Sequence, residues 1–229
     1  MNSLPTTAIL LFANSARQEL EHKPIAKGEG LFDTLTQQTL KKAKRTGLPV
    51  FHFTEKEQTG SGFGERFTNA ITTIFEKGFE NVITIGNDTP QLKVHHLTTT
   101  AEALAHGKTV IGPSADGGFY LMGFQKENFN ATALKNMPWQ RMNLFSRISI
   151  WLKNASSEIE KLPVLQDIDD VKDLKTILRF SRSISLSLLQ LILGVLGCSS
   201  ISLLFQIDGT HLYLNRSLYN KGSPMALLA

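Results

Sequence analysis

Two apolar, β-branched runs that each stop at a carboxylate beside glycine or proline constrain this chain most. The first is Val82-Ile83-Thr84-Ile85, followed by Gly86-Asn87-Asp88-Thr89-Pro90. The second is Val110-Ile111-Gly112-Pro113-Ser114-Ala115-Asp116-Gly117-Gly118, running on into Phe119-Tyr120-Leu121-Met122-Gly123. Both read as buried strands. Ligands of open α/β sheets bind where parallel strands end, so two acids at such ends suggest a site for a metal and a polyphosphate. Asp is also a common turn residue. Either acid alone reads that way; the pair reads as a site.

The rest of the chain extends the pattern. Strands are expected at 7–13, 50–53, 81–85, 109–111, 119–124 and 162–166, and helices at 31–46, 93–106, 143–154 and 169–179. Phe63, Phe67, Ala70, Ile71, Ile74 and Phe75 recur at helical spacing and give one more amphipathic helix, ending near Gly78. Strands alternating with helices mean a mainly parallel sheet covered on both faces, an α/β fold. The apolar stretch at 8–13 is too short for an export signal and has no Lys or Arg before it, so it reads as the first buried strand.

A chain of 229 residues is one large domain, or a domain with an appendage. The boundary is expected near residue 180. Cys198 is the single cysteine, which excludes an intramolecular disulfide and any multi-thiolate metal site and suits a reducing, cytoplasmic setting. A net charge of +4 with scattered Lys and Arg does not make a nucleic-acid surface. The cluster Lys41-Lys42-Ala43-Lys44-Arg45 reads as a solvated helix face.

The segment 183–207 carries no charge and is rich in Leu and Ile. Its length reaches that of a membrane span, but serines, glutamines, Gly194 and Gly197 interrupt it, and Asp208-Gly209 offers a hairpin turn. Three readings stay open: a packed helix plus hairpin, a homo-oligomer or peripheral inner-membrane contact, or a span.

Several motifs are excluded. Gly60-Ser61-Gly62-Phe63-Gly64 lacks dinucleotide-fingerprint spacing, and no phosphate loop of the G-x-x-x-x-G-K type is present. His95 and His96 point about 100° apart on a helix and read as a solvated pair. What remains is carboxylates and glycines. Gln166-Asp167-Ile168-Asp169-Asp170 follows an expected strand, and on an extended segment Asp167 and Asp169 face one side, which suits a hard cation. Asp near a helix start equally caps free amides. Mg²⁺ or Mn²⁺ held there would neutralise a leaving diphosphate. Gly117 and Gly118 allow close backbone approach, and Gln58 and Gly60 lie in a loop that could read a nucleobase.

The motifs 58–67 (Gln58-Thr59-Gly60-Ser61-Gly62-Phe63-Gly64-Glu65-Arg66-Phe67), 86–90, 112–123, Pro138-Trp139 and Asp167-Ile168-Asp169 occur in an order that resembles the bacterial glycosyltransferase A-like (GT-A-like) family, within the nucleotide-diphospho-sugar transferase superfamily. The resemblance spans about residues 7–178. It implies a Rossmann-like GT-A α/β/α sandwich that binds a nucleotide across its strand ends. By that resemblance Asp88 and Asp169 are metal ligands with Asp167 beside them. Asp116, with Gly117 and Gly118, lines the acceptor side as orienting group or base, while Gln58, Gly60, Arg66 and Asn87 contact nucleotide or substrate. The family's Lys-Thr-Arg-Leu stretch after the first strand is absent; Arg17, Lys23 or Lys27 would take over its phosphate contacts. Asn87-Asp88 stands where many relatives have Asp-x-Asp. The leading expectation is a metal-dependent transferase of nucleotide-activated sugars acting on a small acceptor. Nucleotidyl transfer to a phosphorylated small molecule, and a non-catalytic binding or assembly role, are the alternatives.

Overall fold

A computed structural model describes residues 6–139, 144, 147, 148, 150, 151 and 158–197. The expected hairpin after 200, Cys198 and most of the expected helix at 143–154 lie outside the described residues.

The core is a six-stranded sheet: β1 (Thr7–Phe12), β2 (Val50–Phe53), β3 (Asn81–Ile85), β4 (Thr109–Pro113), β5 (Phe119–Gln125) and β6 (Ile159–Lys161), in the order β2-β1-β3-β5-β4-β6. β1 runs parallel to β2 and β3, β4 runs parallel to β6, and β5 is antiparallel to both its neighbours. The expected mainly parallel sheet is therefore present with one strand reversed.

Side-chain alternation along these strands builds two cores. Ala8 and Leu10 of β1 and Val82 of β3 face one side, under Phe67, Ala70, Ile71 and Ile74 of α3 (Phe63–Glu76). Ile9, Leu11, Ile83 and Ile85 face the other, with Ala43 of α2 (Glu29–Lys44) and Leu97 and Leu104 of α4 (Val94–Ala105). Strands buried on both faces must be apolar throughout, which is why these runs are continuous rather than alternating in sequence. The result is a GT-A-like α/β/α sandwich.

Three smaller elements complete it: α1 (Ala16–His22), α5 (Ala131–Lys135) and α6 (Val171–Leu178). The seven residues of α1 were not expected; Ser15 caps the helix through its hydroxyl, which accepts from the Gln18 amide at 3.4 Å. α6 starts at Asp170, whose carboxylate accepts from the Lys172 and Asp173 amides at 2.6 and 3.1 Å. The strand expected at 162–166 sits earlier, at Ile159–Lys161, and only Leu165 bridges onward to Ser114. Pro163 lies between them and has no N–H for a ladder.

The apolar C-terminal segment is resolved in its first half as packing. α7 (Leu186–Val195) is capped by Ser185 and buries Leu188, Leu189, Ile192 and Leu193. They join Leu31, Phe32 and Leu35 of α2 and Leu174 and Ile177 of α6 in a third cluster. Among the described residues no helix is long and apolar enough to cross a membrane. His96 is not solvated as expected: it is buried, and its Nδ1 accepts from the Lys93 amide at 3.2 Å, closing the start of α4. Lys42 also departs from its expected solvated face and donates to the Pro90 carbonyl at 2.9 Å.

Ile192 is fully buried on α7, so Ile192→Ala should lower the unfolding free energy of the whole domain by about 2–5 kcal/mol. Equilibrium urea unfolding checks this, with one cooperative transition expected.

Candidate functional site

β1 connects to β2 on one side, and the chain then returns to β3 on the other, so the sheet order reverses beside β1. Such a switch point opens a crevice at the carboxyl ends of the strands. Here those ends are Ala13-Asn14 after β1 and Gly86-Asn87-Asp88 after β3, brought level by the pairing of Leu11 with Ile85. A cleft of about 410 Å³ opens there.

One wall of the cleft is aromatic. Phe12, Phe63, Phe67, Phe119 and Trp139 line it, with ring centroids 5.0–6.1 Å apart across seven of their pairs. Gly64 makes this wall possible, because a Cβ there would lie 2.4 Å from the Trp139 ring and 2.5 Å from the Lys135 carbonyl. Trp139 is further fixed by its indole N–H, which donates to the Leu134 carbonyl at 2.9 Å.

The lining is also charged. Glu19, Asp88, Asp116, Asp167 and Asp169 belong to it together with Lys23 and Arg66. Lys23 lies just past α1, and its Nζ donates to Asp88 Oδ2 at 2.6 Å and to the Ile168 carbonyl at 2.9 Å. It also contacts Asp169 Oδ1 at 2.9 Å and stands 3.7 Å from Glu19. Burial by itself would lower the Lys23 pKa, but Asp88, Asp169 and Glu19 outweigh it and raise it above the usual lysine value. Glu19 and Asp169 are both raised, chiefly by burial, with Lys23 opposing and Asp88 adding to the rise.

Asp116 sits in the turn after β4, where Gly117 adopts φ +93°. Its Oδ1 accepts from the Gly118 amide at 2.9 Å and from the Ser114 hydroxyl. Asp167 accepts from the Thr89 hydroxyl at 2.7 Å. Burial, reinforced by Asp88, pushes its carboxyl well above the usual carboxylate range.

The expected site residues divide in the folded protein. Gln58, Arg66, Asn87, Gly118, Lys23, Asp88, Asp116, Asp167 and Asp169 all line the cleft. Gln58 is held by Asn14, to whose Oδ1 it donates at 3.2 Å. Asn87 is buried, and its amide donates to Thr36 at 2.9 Å, tying the β3 end to α2. Gly60, Gly117 and Arg17 do not line the cleft, and Arg17 is exposed on α1. Lys23, expected at phosphate, is instead bound to the acids. Glu19 and the aromatic wall were not expected. A Glu four residues before a Lys is a helical pairing signal that could have found the first; Phe63 and Phe67 read as ordinary core spacing.

Asp88 and Asp169 do come together as expected for a metal pair, but around an ammonium. The residues fit a resident divalent ion only if Lys23 withdraws. Among the described residues no group of three or more His, Cys, Asp or Glu side chains is placed to hold one.

The sandwich with its switch-point cleft is a GT-A-like fold that recurs in solved structures. Residues 31–141 match the family described as an uncharacterized protein conserved in bacteria (DUF2064), in line with the resemblance read from the motifs. A crystal structure from Desulfovibrio desulfuricans G20, provisionally described as a nucleotide-diphospho-sugar transferase, superposes with a TM-score of 0.74 at 22% identity, covering 85% of this chain and 98% of that one. A homologue of Mycobacterium tuberculosis Rv0371c, from Mycobacterium sp. strain JC1, reaches 0.45 at 12% identity, over 85% and 99% of the two chains. A cytidylyltransferase from Leptospira borgpetersenii reaches 0.41 at 13%, over 92% and 100%. Scores below 0.5 add nothing to the fold assignment. No curated protein matches the chain.

The raised Asp167 carboxyl has a pH consequence. The folded state holds a proton that the unfolded chain releases near pH 4, so stability falls as pH rises above that value toward the folded pKa. Asp167→Asn keeps an acceptor for Thr89 and removes this penalty. Its melting temperature should match wild type near pH 4 and exceed it by a widening margin up to pH 8, read by thermal unfolding across that range.

Proposed function

We propose that the protein is a transferase that binds a nucleotide-diphospho-sugar in the strand-end cleft and passes the sugar to a small acceptor. The observation that carries this reading is the mixed lining of one cleft, fixed aromatic rings together with a set of acids, at the switch point of a sheet with this superfamily's fold. Aromatic side chains offer flat faces on which a base can stack. Gln58, steadied by Asn14, supplies an amide beside them for reading base edges.

The charge balance bears on the form of the substrate. With Asp167 protonated, the four other acids against Lys23 and Arg66 still leave the rim negative, which repels a bare diphosphate. The nucleotide-sugar is therefore taken up as its Mg²⁺ or Mn²⁺ complex, the ion arriving as part of the substrate. Asp116 is the group for the acceptor. Its Oδ1 is fixed by Ser114 and Gly118, and Oδ2 accepts no hydrogen bond from the described residues, so it is free to orient an acceptor hydroxyl or take its proton. The sugar passes from the β-phosphate oxygen to that hydroxyl; the nucleoside diphosphate leaves.

Thermal unfolding against UDP, GDP, CDP and ADP and their sugars, with and without Mn²⁺, tests the reading. A ligand at 100 times its dissociation constant adds about 2.7 kcal/mol, or roughly 5–10 °C for a domain of this size. One base should give that shift with Mn²⁺ present. Trp139→Ala should reduce it, and Asp116→Asn should leave it intact while abolishing transfer. No shift with any nucleotide from a cooperatively folding protein overturns the proposal.

A further inference from the structure

Lys23 is set among the acids that line the cleft, and its surroundings account for it completely. An ammonium has three N–H donors and no acceptor. Here three oxygens lie within hydrogen-bond distance of Nζ: Asp88 Oδ2 at 2.6 Å, Asp169 Oδ1 at 2.9 Å and the Ile168 carbonyl at 2.9 Å. Glu19 Oε2 adds charge at 3.7 Å, and the Phe32 ring closes another side with its centroid 5.5 Å away. The Lys23 side chain is only 12% exposed, so no donor is left for a phosphate.

The acceptors are those a hard divalent ion would take: two carboxylates and a backbone carbonyl. They come from different places in the chain, the loop after β3 and the segment before α6. The Ile168 amide reinforces the join by donating to the Asp88 carbonyl at 3.0 Å. An ion cannot share these oxygens with an ammonium already in contact with them, since the two positive charges would lie within a few ångströms of each other.

We infer that Lys23 is the resident cation of this site, a covalently attached counterpart of a divalent ion, and that the nucleotide-free protein has no divalent-ion site at Asp88 and Asp169. Lys23 is thus a positioning residue that holds both acids in place. The inference deepens the reading of the cleft as a nucleotide-sugar site. Its test uses no nucleotide, so failure of either leaves the other to be judged separately.

The experiment is a Mn²⁺ titration of the full chain, followed by the paramagnetic signal of free Mn²⁺ and by thermal unfolding. Wild type, Lys23→Met and the double variant Lys23→Met with Asp88→Asn are compared, all without nucleotide. Lys23→Met uncovers the acids and should bind Mn²⁺ at least about tenfold more tightly than wild type. Its melting temperature should rise with Mn²⁺ while that of wild type does not, and the added Asp88→Asn should abolish both gains. Wild type binding Mn²⁺ as tightly as Lys23→Met, or Lys23→Met gaining nothing, overturns the inference. If Lys23→Met does not fold, Lys23→Gln keeps a donor for the Ile168 carbonyl and takes its place. Wild type and Asp88→Asn also decide the matter between themselves: Mn²⁺ uptake by wild type that Asp88→Asn removes overturns the inference, and its absence supports it.

Discussion

The parallel pairing of β1 with β3 is the constraint on which the site depends. With Leu11 opposite Ile85, the chain leaves both strands at the same level, and Asn14 and Asp88 emerge side by side. A slip of one residue would turn Ile9, Leu11, Ile83 and Ile85 away from the core they fill beneath α4. The register is therefore held by burial on both faces of the sheet, and the cleft inherits its geometry from the core. Around that fixed edge the mobile-looking parts of the sequence are tied by short polar contacts. Asn87 anchors to Thr36, Gln58 to Asn14, and Thr89 to Asp167.

Much of this was legible in the sequence. Strands buried on both faces leave continuous apolar runs, and helices leave a three-to-four-residue period, so the order of elements from β1 to α4, α1 excepted, could be read directly. Asp88, Asp116 and Asp169 stood out because each follows a strand and sits near glycine, proline or a helix start. What could not be read were contacts between distant segments. Nothing local marks His96 as buried or Lys42 as bound to the Pro90 carbonyl, since a polar residue on a helix usually faces water. The short helix α1 has no long periodic stretch to betray it; one serine cap and one turn suffice.

Lys23 illustrates the harder limit. A lysine followed by proline, in a loop after a first strand, reads as a phosphate ligand. Its partner acids lie 65 and 146 residues further on (88 − 23 and 169 − 23), and only the folded arrangement of three separate segments brings them to one ammonium. The same long-range closure places the described part of the apolar stretch at the C-terminal side, the helix α7. By composition it could face lipid, another copy or its own domain. The groove left between α2 and α6 accepts Leu188, Leu189, Ile192 and Leu193 of α7.

The chain contains two tryptophans, and they stand in different surroundings. Trp139 forms part of the cleft wall against Phe63, Phe67 and Phe119, whereas Trp151 lies away from it, beside Phe129 and Asn130. The first indole occupies the space that a side chain at Gly64 would need, and its N–H is tied to the Leu134 carbonyl. The cleft thus carries its own fluorophore, held rigidly where a stacked base would quench it, with a second emitter in the same molecule as an internal reference.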